Sequence, residues 1–154
     1  MFVNEMAKIR VTKVFSFDMA HALDGYDGLC KHIHGHTYFL RISLLGEVKS
    51  EFGHPKNGFV MDFKDLKQLV MREILDVFDH SLVLHETSAF LAQMNVDFST
   101  DRVILTDFQP TCENLLVHFV SKIQPNLPEN VQLIAVRLDE TPTSYSEWFL
   151  SDQD

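Results

Sequence analysis

HGHTYFLRISLLG, residues 34–46, decides the fold. His36, Tyr38, Leu40, Ile42 and Leu44 recur at every second position, the period of a half-buried strand. Extending that parity backwards adds His34, and Gly46 is expected to break the strand. Upstream, KIRVTKVFSFDMAHA (8–22) repeats the pattern through Ile9, Val11, Phe15, Phe17 and Met19, with Lys13 the exception. His21 falls on the same apolar parity. Between the two strands, residues 24–33 carry Gly25, Gly28, Asp24 and Asp27, a loop composition. Residues two apart on a strand lie roughly 6–7 Å apart on one face. His34 and His36 can therefore turn both rings onto one point, and Gly35 between them adds no bulk. His21 can reach that point from the neighbouring strand.

Three imidazoles suit a catalytic zinc, because three protein ligands leave a fourth position for water or substrate. Cys30 stands four residues before His34, and a thiol near such a site gains acidity and can act as a base. Two plainer readings stand beside this one. HGH can be a polar loop with His21 a satisfied core residue, or Cys30 can close a Cys/His3 sphere and make a non-catalytic zinc-binding module. Spacing does not choose between ligand and base. A cupin-type site would place a Glu soon after the HxH, where this chain has Thr37, Tyr38, Phe39, Leu40 and Arg41. Cys112 reads as a small apolar filler.

Residues 50–58, SEFGHPKNG, are turn-rich, and Asp62 suits the N-cap of a helix over 63–78. Its stripe is Leu66, Leu69, Val70, Ile74, Val77 and Phe78. Asp79-His80 follows its end; a carboxylate can orient an imidazole for proton transfer, or the pair can simply answer the helix dipole. Residues 88–94 read as a short helix, followed by an extended RVILTDF. Pro110-Thr111 opens a second long helix with Leu115, Leu116, Phe119, Val120 and Ile123 inward, closed by Pro125 and Pro128. VQLIAVRLDE (131–140) and YSEWFL complete the strands. Glu140 shares parity with Ile134, Val136 and Leu138, so its carboxylate needs a partner: a heterocycle with two N–H donors, or a buried Arg. His54, His85 and His118 belong to no constellation.

The 154 residues are expected to form one domain, 1–154, with β-β-α-α-β-β order: α+β, a four-stranded antiparallel sheet with two long helices on one face. Open sheet edges favour a homo-oligomer. A net charge of −9 disfavours nucleic acid and anionic membrane as partners. Lys31 and His32 are the nearest cations for a small anionic substrate. No run approaches the roughly 20 apolar residues of a membrane span. MFVNEMAKIR has no secretory pattern, Met6 is an alternative start, and two free thiols suit a cytoplasmic setting.

Together FSFDMAHAL, CKHIHGH, NGFVMDFKDLK, FDHSL, PTCENL and LDET, in order along about residues 8–150, resemble the 6-pyruvoyltetrahydropterin/6-carboxytetrahydropterin synthase family. The resemblance implies the tunnelling fold, in which oligomers, a hexamer favoured, close small sheets into a barrel with active sites between subunits. It implies Zn2+ on His21, His34 and His36, Cys30 as general base, Asp79-His80 as proton relay and Glu140 as the pterin anchor, with Thr111 lining the pterin pocket. The substrate implied is a pterin triphosphate. Three residues between Cys30 and HGH resemble the carboxy-producing branch of queuosine and deazapurine biosynthesis, the pyruvoyl branch placing more. Another branch carries Glu in place of the cysteine. The long 84–109 segment departs from the compact family pattern.

Overall fold

The computed structural model describes residues 7–153; the expectations about the N-terminal start lie largely outside that range. Strand β1 (Lys8–His21) and β2 (His34–Glu47) form an antiparallel hairpin in which His21 faces His34, Met19 faces His36 and Phe17 faces Tyr38. β2 continues through Gly46 instead of stopping there. A Cβ at Gly46 would lie 2.9 Å from the Asn130 carbonyl oxygen and 2.9 Å from Val60 Cγ1, so glycine serves close packing at this point, not chain reversal. Gly46→Ala is expected to cost about 1–3 kcal/mol, the range for overpacking a tight site. A thermal or urea unfolding midpoint equal to wild type would refute this.

The first long helix spans the expected residues in three parts. α1 (Phe63–Val70) is followed by a π-helical turn, Met71–Leu75, and by α2 (Asp76–Phe78). Asp62 caps α1, its carboxylate accepting from Lys64 N at 2.8 Å and pairing with the Lys56 ammonium. The second long helix, α3 (Cys112–Ile123), is capped by Thr111, whose hydroxyl accepts from Asn114 N at 3.2 Å. Both helices lay their apolar stripes on one sheet face. Leu66, Val70, Ile74, Leu115, Phe119 and Ile123 are buried there against Phe17, Tyr38, Leu40, Ile42 and Leu44. Phe119 joins the layers, its ring 6.0 Å from Phe17 and 5.1 Å from Phe78.

The sheet is six-stranded and mixed, not four-stranded and antiparallel. Its order is β4-β3-β1-β2-β5-β6. The two additional strands, β3 (Ser81–His85) and β4 (Val103–Thr106), run parallel to each other, and β3 runs parallel to the end of β1. SLVLH shows no alternation because Ser81, Val83 and Leu84 are all buried, as is usual for parallel strands. The short helix expected at 88–94 is replaced by consecutive hydrogen-bonded turns, such as Leu91 N to Ser88 O at 3.1 Å. β5 (Val131–Thr141) and β6 (Ser144–Phe149) complete the antiparallel side. A register shift opposite Ser43 and Leu44 lets Ile134 leave the core parity, so Leu133 and Val136 are the buried residues there. No helix among the described residues is long and apolar enough to cross a membrane.

Candidate metal centre and active site

The loop end of the β1–β2 hairpin gathers His21, His34 and His36, with one ring nitrogen from each lying within 4.8 Å of the others. Register does this: His34 sits directly across from His21, and His36 one pleat further along the same face. The glycine between them lets the strands approach, since a Cβ at Gly35 would lie 3.2 Å from the Met19 carbonyl oxygen. Two rings are oriented by backbone. His21 Nδ1 donates to the Pro110 carbonyl at 2.7 Å, and His34 Nδ1 donates to the His32 carbonyl at 2.8 Å. With those tautomers both Nε2 atoms carry lone pairs, and they face each other at 3.1 Å.

Two lone pairs at that distance repel unless a cation lies between them. A proton is a poor answer, because burial holds the pKa of His21 below its ordinary value, and that of His36 likewise. His36 Nε2 is in addition buried with no hydrogen-bond partner among the described residues. Nitrogens at about 2.0–2.1 Å from one tetrahedral zinc are about 3.3 Å apart, close to the separation seen here. The donor set therefore fits a divalent ion that accepts nitrogen ligands.

Beside this cluster lies a cavity of about 530 Å3 whose walls include His21, Cys30, Thr111, Cys112, Glu140 and Tyr145. Cys30 rides on a 3-10 turn, Leu29–Lys31, and is half-buried; its sulfur is not part of the three-histidine group. Glu140 Oε1 lies 3.6 Å from His21 Nε2 and 3.9 Å from His36 Nε2. Thr111 reaches the cavity, although its hydroxyl also caps α3. Cys112 is buried, its thiol donating to the Leu138 carbonyl at 3.4 Å, and burial pushes its pKa up.

Asp79 and His80 pair at 2.9 Å, Oδ1 to Nδ1. They do not share the Cys30 cavity. His80 lines a separate, shallow groove with Asp18, Thr37, His36 and Arg102. His36 borders that groove while His21 and Glu140 border the Cys30 cavity, so the histidine cluster stands between the two.

Tyr38 escaped the sequence reading as anything but core. It is fully buried, and its hydroxyl lies 3.4 Å from Glu140 Oε1 and 3.5 Å from His21 Nε2. Burial and then the Glu140 charge raise its pKa far above the ordinary phenol value, so it remains a donor. The signal was available: Tyr38 continues the parity of His34 and His36 on a strand whose other inward residues are aliphatic. His54, His85 and His118 lie outside these groups, His118 packing against Phe78 and Phe108.

Comparison with known proteins gives concordant results. The family described as 6-pyruvoyl tetrahydropterin synthase matches residues 10–149. A 6-carboxy-5,6,7,8-tetrahydropterin synthase of Haemophilus influenzae is 34% identical over 141 residues, covering 90% of this chain and 97% of the relative. A protein of the same name from Rickettsia bellii is 30% identical, covering 90% and 99%. Among solved structures, Caenorhabditis elegans 6-pyruvoyl tetrahydropterin synthase superposes with a TM-score of 0.66 at 26% identity, covering 97% of this chain and 99% of that one. An uncharacterized protein from Wolinella succinogenes shares the fold, with a TM-score of 0.75 at 19% identity and coverage of 94% and 99%.

Proposed function

The chain belongs to the 6-pyruvoyl tetrahydropterin synthase family of enzymes, and from that premise we propose that it is a zinc-dependent 6-carboxy-5,6,7,8-tetrahydropterin synthase. The reaction is conversion of 7,8-dihydroneopterin triphosphate and one water to 6-carboxytetrahydropterin, acetaldehyde and triphosphate, a lyase step in queuosine and deazapurine biosynthesis. The observation that carries this reading is the convergence of His21, His34 and His36 next to a cavity shared by Cys30 and Glu140. The Haemophilus influenzae and Rickettsia bellii relatives, by their names, support the carboxylate product.

His21, His34 and His36 would hold the ion, and when bound it supplies Lewis acidity to the hydroxyls of the substrate side chain. Cys30 takes a proton from that side chain; its place in the cavity wall puts the sulfur beside the cluster without joining it. Asp79 orients His80 through the 2.9 Å contact, so that His80 can carry protons in the internal redox shift and in loss of triphosphate. Glu140 accepts two N–H donors of the pterin ring, and Tyr38, its buried hydroxyl donor at 3.4 Å, fixes the carboxylate. Because Cys30 and His80 line different concavities of one chain, this reading includes a homo-oligomer with active sites between subunits, where a neighbouring copy brings its His80 to the cysteine. A cytoplasmic enzyme, needing neither nucleic acid nor membrane, completes the proposal.

Glu140→Gln is expected to weaken substrate capture about ten- to a hundredfold, since a charged acceptor to N–H donors is worth roughly 1.5–3 kcal/mol, while zinc content stays unchanged. Unaltered KM in that variant would remove Glu140 from the substrate site. The pyruvoyl product remains the rival, favoured by the likeness to the Caenorhabditis elegans enzyme. Incubation with 7,8-dihydroneopterin triphosphate, with and without a chelator, separates the readings by mass spectrometry. A 6-carboxy product and acetaldehyde, lost on chelation, support the proposal; a 6-pyruvoyl product, or no turnover with zinc present, overturns it.

A further inference from the structure

The pair Asp79-His80 sits in an unfavourable piece of backbone. His80 has φ 58°, a left-handed conformation that costs a non-glycine residue roughly 1 kcal/mol or more. Such a residue persists only where its surroundings fix it. Two bonds come from β1: His80 N donates to the Asp18 carbonyl at 2.7 Å, and Asp18 N donates to Asp79 Oδ1 at 2.9 Å. Asp79 N also donates to the Leu75 carbonyl at 2.9 Å, and three further bonds come from Arg102. Its Nε donates to the Asp79 carbonyl at 3.0 Å, and its Nη2 donates to the carbonyls of Asp76 and Val77, each at 3.0 Å.

Those three carbonyls are the open C-terminal end of α2, where the helix dipole favours a cation. A guanidinium alone among side chains presents a rigid fork able to bridge them. Arg102 in turn is placed by its own backbone, its carbonyl accepting from Leu82 N at 2.8 Å at the start of β4. It therefore belongs to the segment that joins β3 to β4.

We infer that Arg102 is a positioning residue for the Asp79-His80 relay, and that it acts by clamping the turn that presents His80. The inference rests on the relay reading given above. Arg102 holds backbone oxygens and leaves the dyad's own contact, Asp79 Oδ1 to His80 Nδ1, untouched.

The test is a double-mutant cycle of Arg102→Ala and His80→Ala in the zinc-loaded, full-length protein, with kcat, KM and zinc content read for each. Arg102→Ala is expected to lower kcat roughly ten- to a hundredfold, the cost of misplacing a catalytic group by about an ångström, with KM and zinc unchanged. In the His80→Ala background it should lower the residual rate no further, because there is no relay left to position. Wild-type kcat in Arg102→Ala alongside an inactive His80→Ala overturns the inference alone. So does a loss confined to KM, or an equal fractional loss in both backgrounds. Wild-type kcat in His80→Ala overturns the relay reading, and the positioning role with it. Should Arg102→Ala not fold, Arg102→Lys, which keeps the charge but not the fork, goes through the same cycle with the same expectations at smaller amplitude.

Discussion

His36→Ala is expected to strip the protein of zinc and abolish turnover, while the apo fold survives. Two of the three imidazoles are held in place by backbone carbonyls, but His36 Nε2 is buried with no partner among the described residues. Its removal therefore breaks no hydrogen bond seen at that atom, and it deletes a buried polar group that nothing among the described residues satisfies. The metal would lose one of three protein ligands. Loss of an outer partner to a ligating histidine already costs about 10–100-fold in affinity, so loss of a ligand itself should cost at least about 100-fold. The two outcomes are read separately. Elemental analysis after gel filtration should find stoichiometric zinc in wild type and little in the variant. Thermal unfolding with added zinc should raise the wild-type midpoint and leave the variant's unchanged, since only a ligand that binds the native state shifts it. Equal zinc content in the two proteins would remove His36 from the coordination sphere, whatever the activity does.

The histidine-bearing hairpin was legible because β1 and β2 are each buried on one face only, so their sequences alternate and parity fixes which residues meet. That regularity carries from Phe15 to His21 and from His34 to Leu44 without interruption, and His21 opposite His34 follows from it. The helices were legible by their caps, Asp62 and Thr111, and by stripes of residues now buried on the sheet. β3 was hidden for the converse reason: covered on both sides, Ser81–His85 has no period to detect. Ile134 misled because a register irregularity inside β5 shifts parity midway along the strand, which composition does not announce. At the site, proximity of His21, Glu140 and Tyr38 spans 119 positions of sequence numbering from 21 to 140, and only the β1–β2–β5 sheet order makes them neighbours. Arg102 carried no signal at all, since its partners are main-chain oxygens.

Cys30→Ala is expected to retain zinc in full and lose turnover by about 10²–10⁴-fold, the usual contribution of a positioned general base. Three features of the structure make the substitution a clean probe. The residue's link to the loop runs through backbone, its carbonyl accepting from Leu23 N at 3.0 Å, which alanine preserves. Its side chain is half-buried in a cavity wall and outside the tightly packed core, so truncation leaves little void. And its sulfur stands apart from the three nitrogens that converge within 4.8 Å. A ligand role and a base role then part company in the zinc assay: a structural Cys/His3 site would lose metal with the thiol, whereas a base would not. KM distinguishes them further, because a residue that acts on the side-chain proton should change kcat and leave ring binding to Glu140. Cys30→Ser is the graded control, an oxygen of far higher pKa in the same position, expected to keep zinc and fall between wild type and alanine. Cys112 supplies the internal contrast, a buried thiol already donating to Leu138, so a single equivalent of alkylating reagent should inactivate the wild type and leave Cys30→Ala unlabelled. Loss of zinc from Cys30→Ala would make the cysteine a fourth ligand, close the vacancy that chemistry requires, and return the chain to a non-catalytic zinc-binding module.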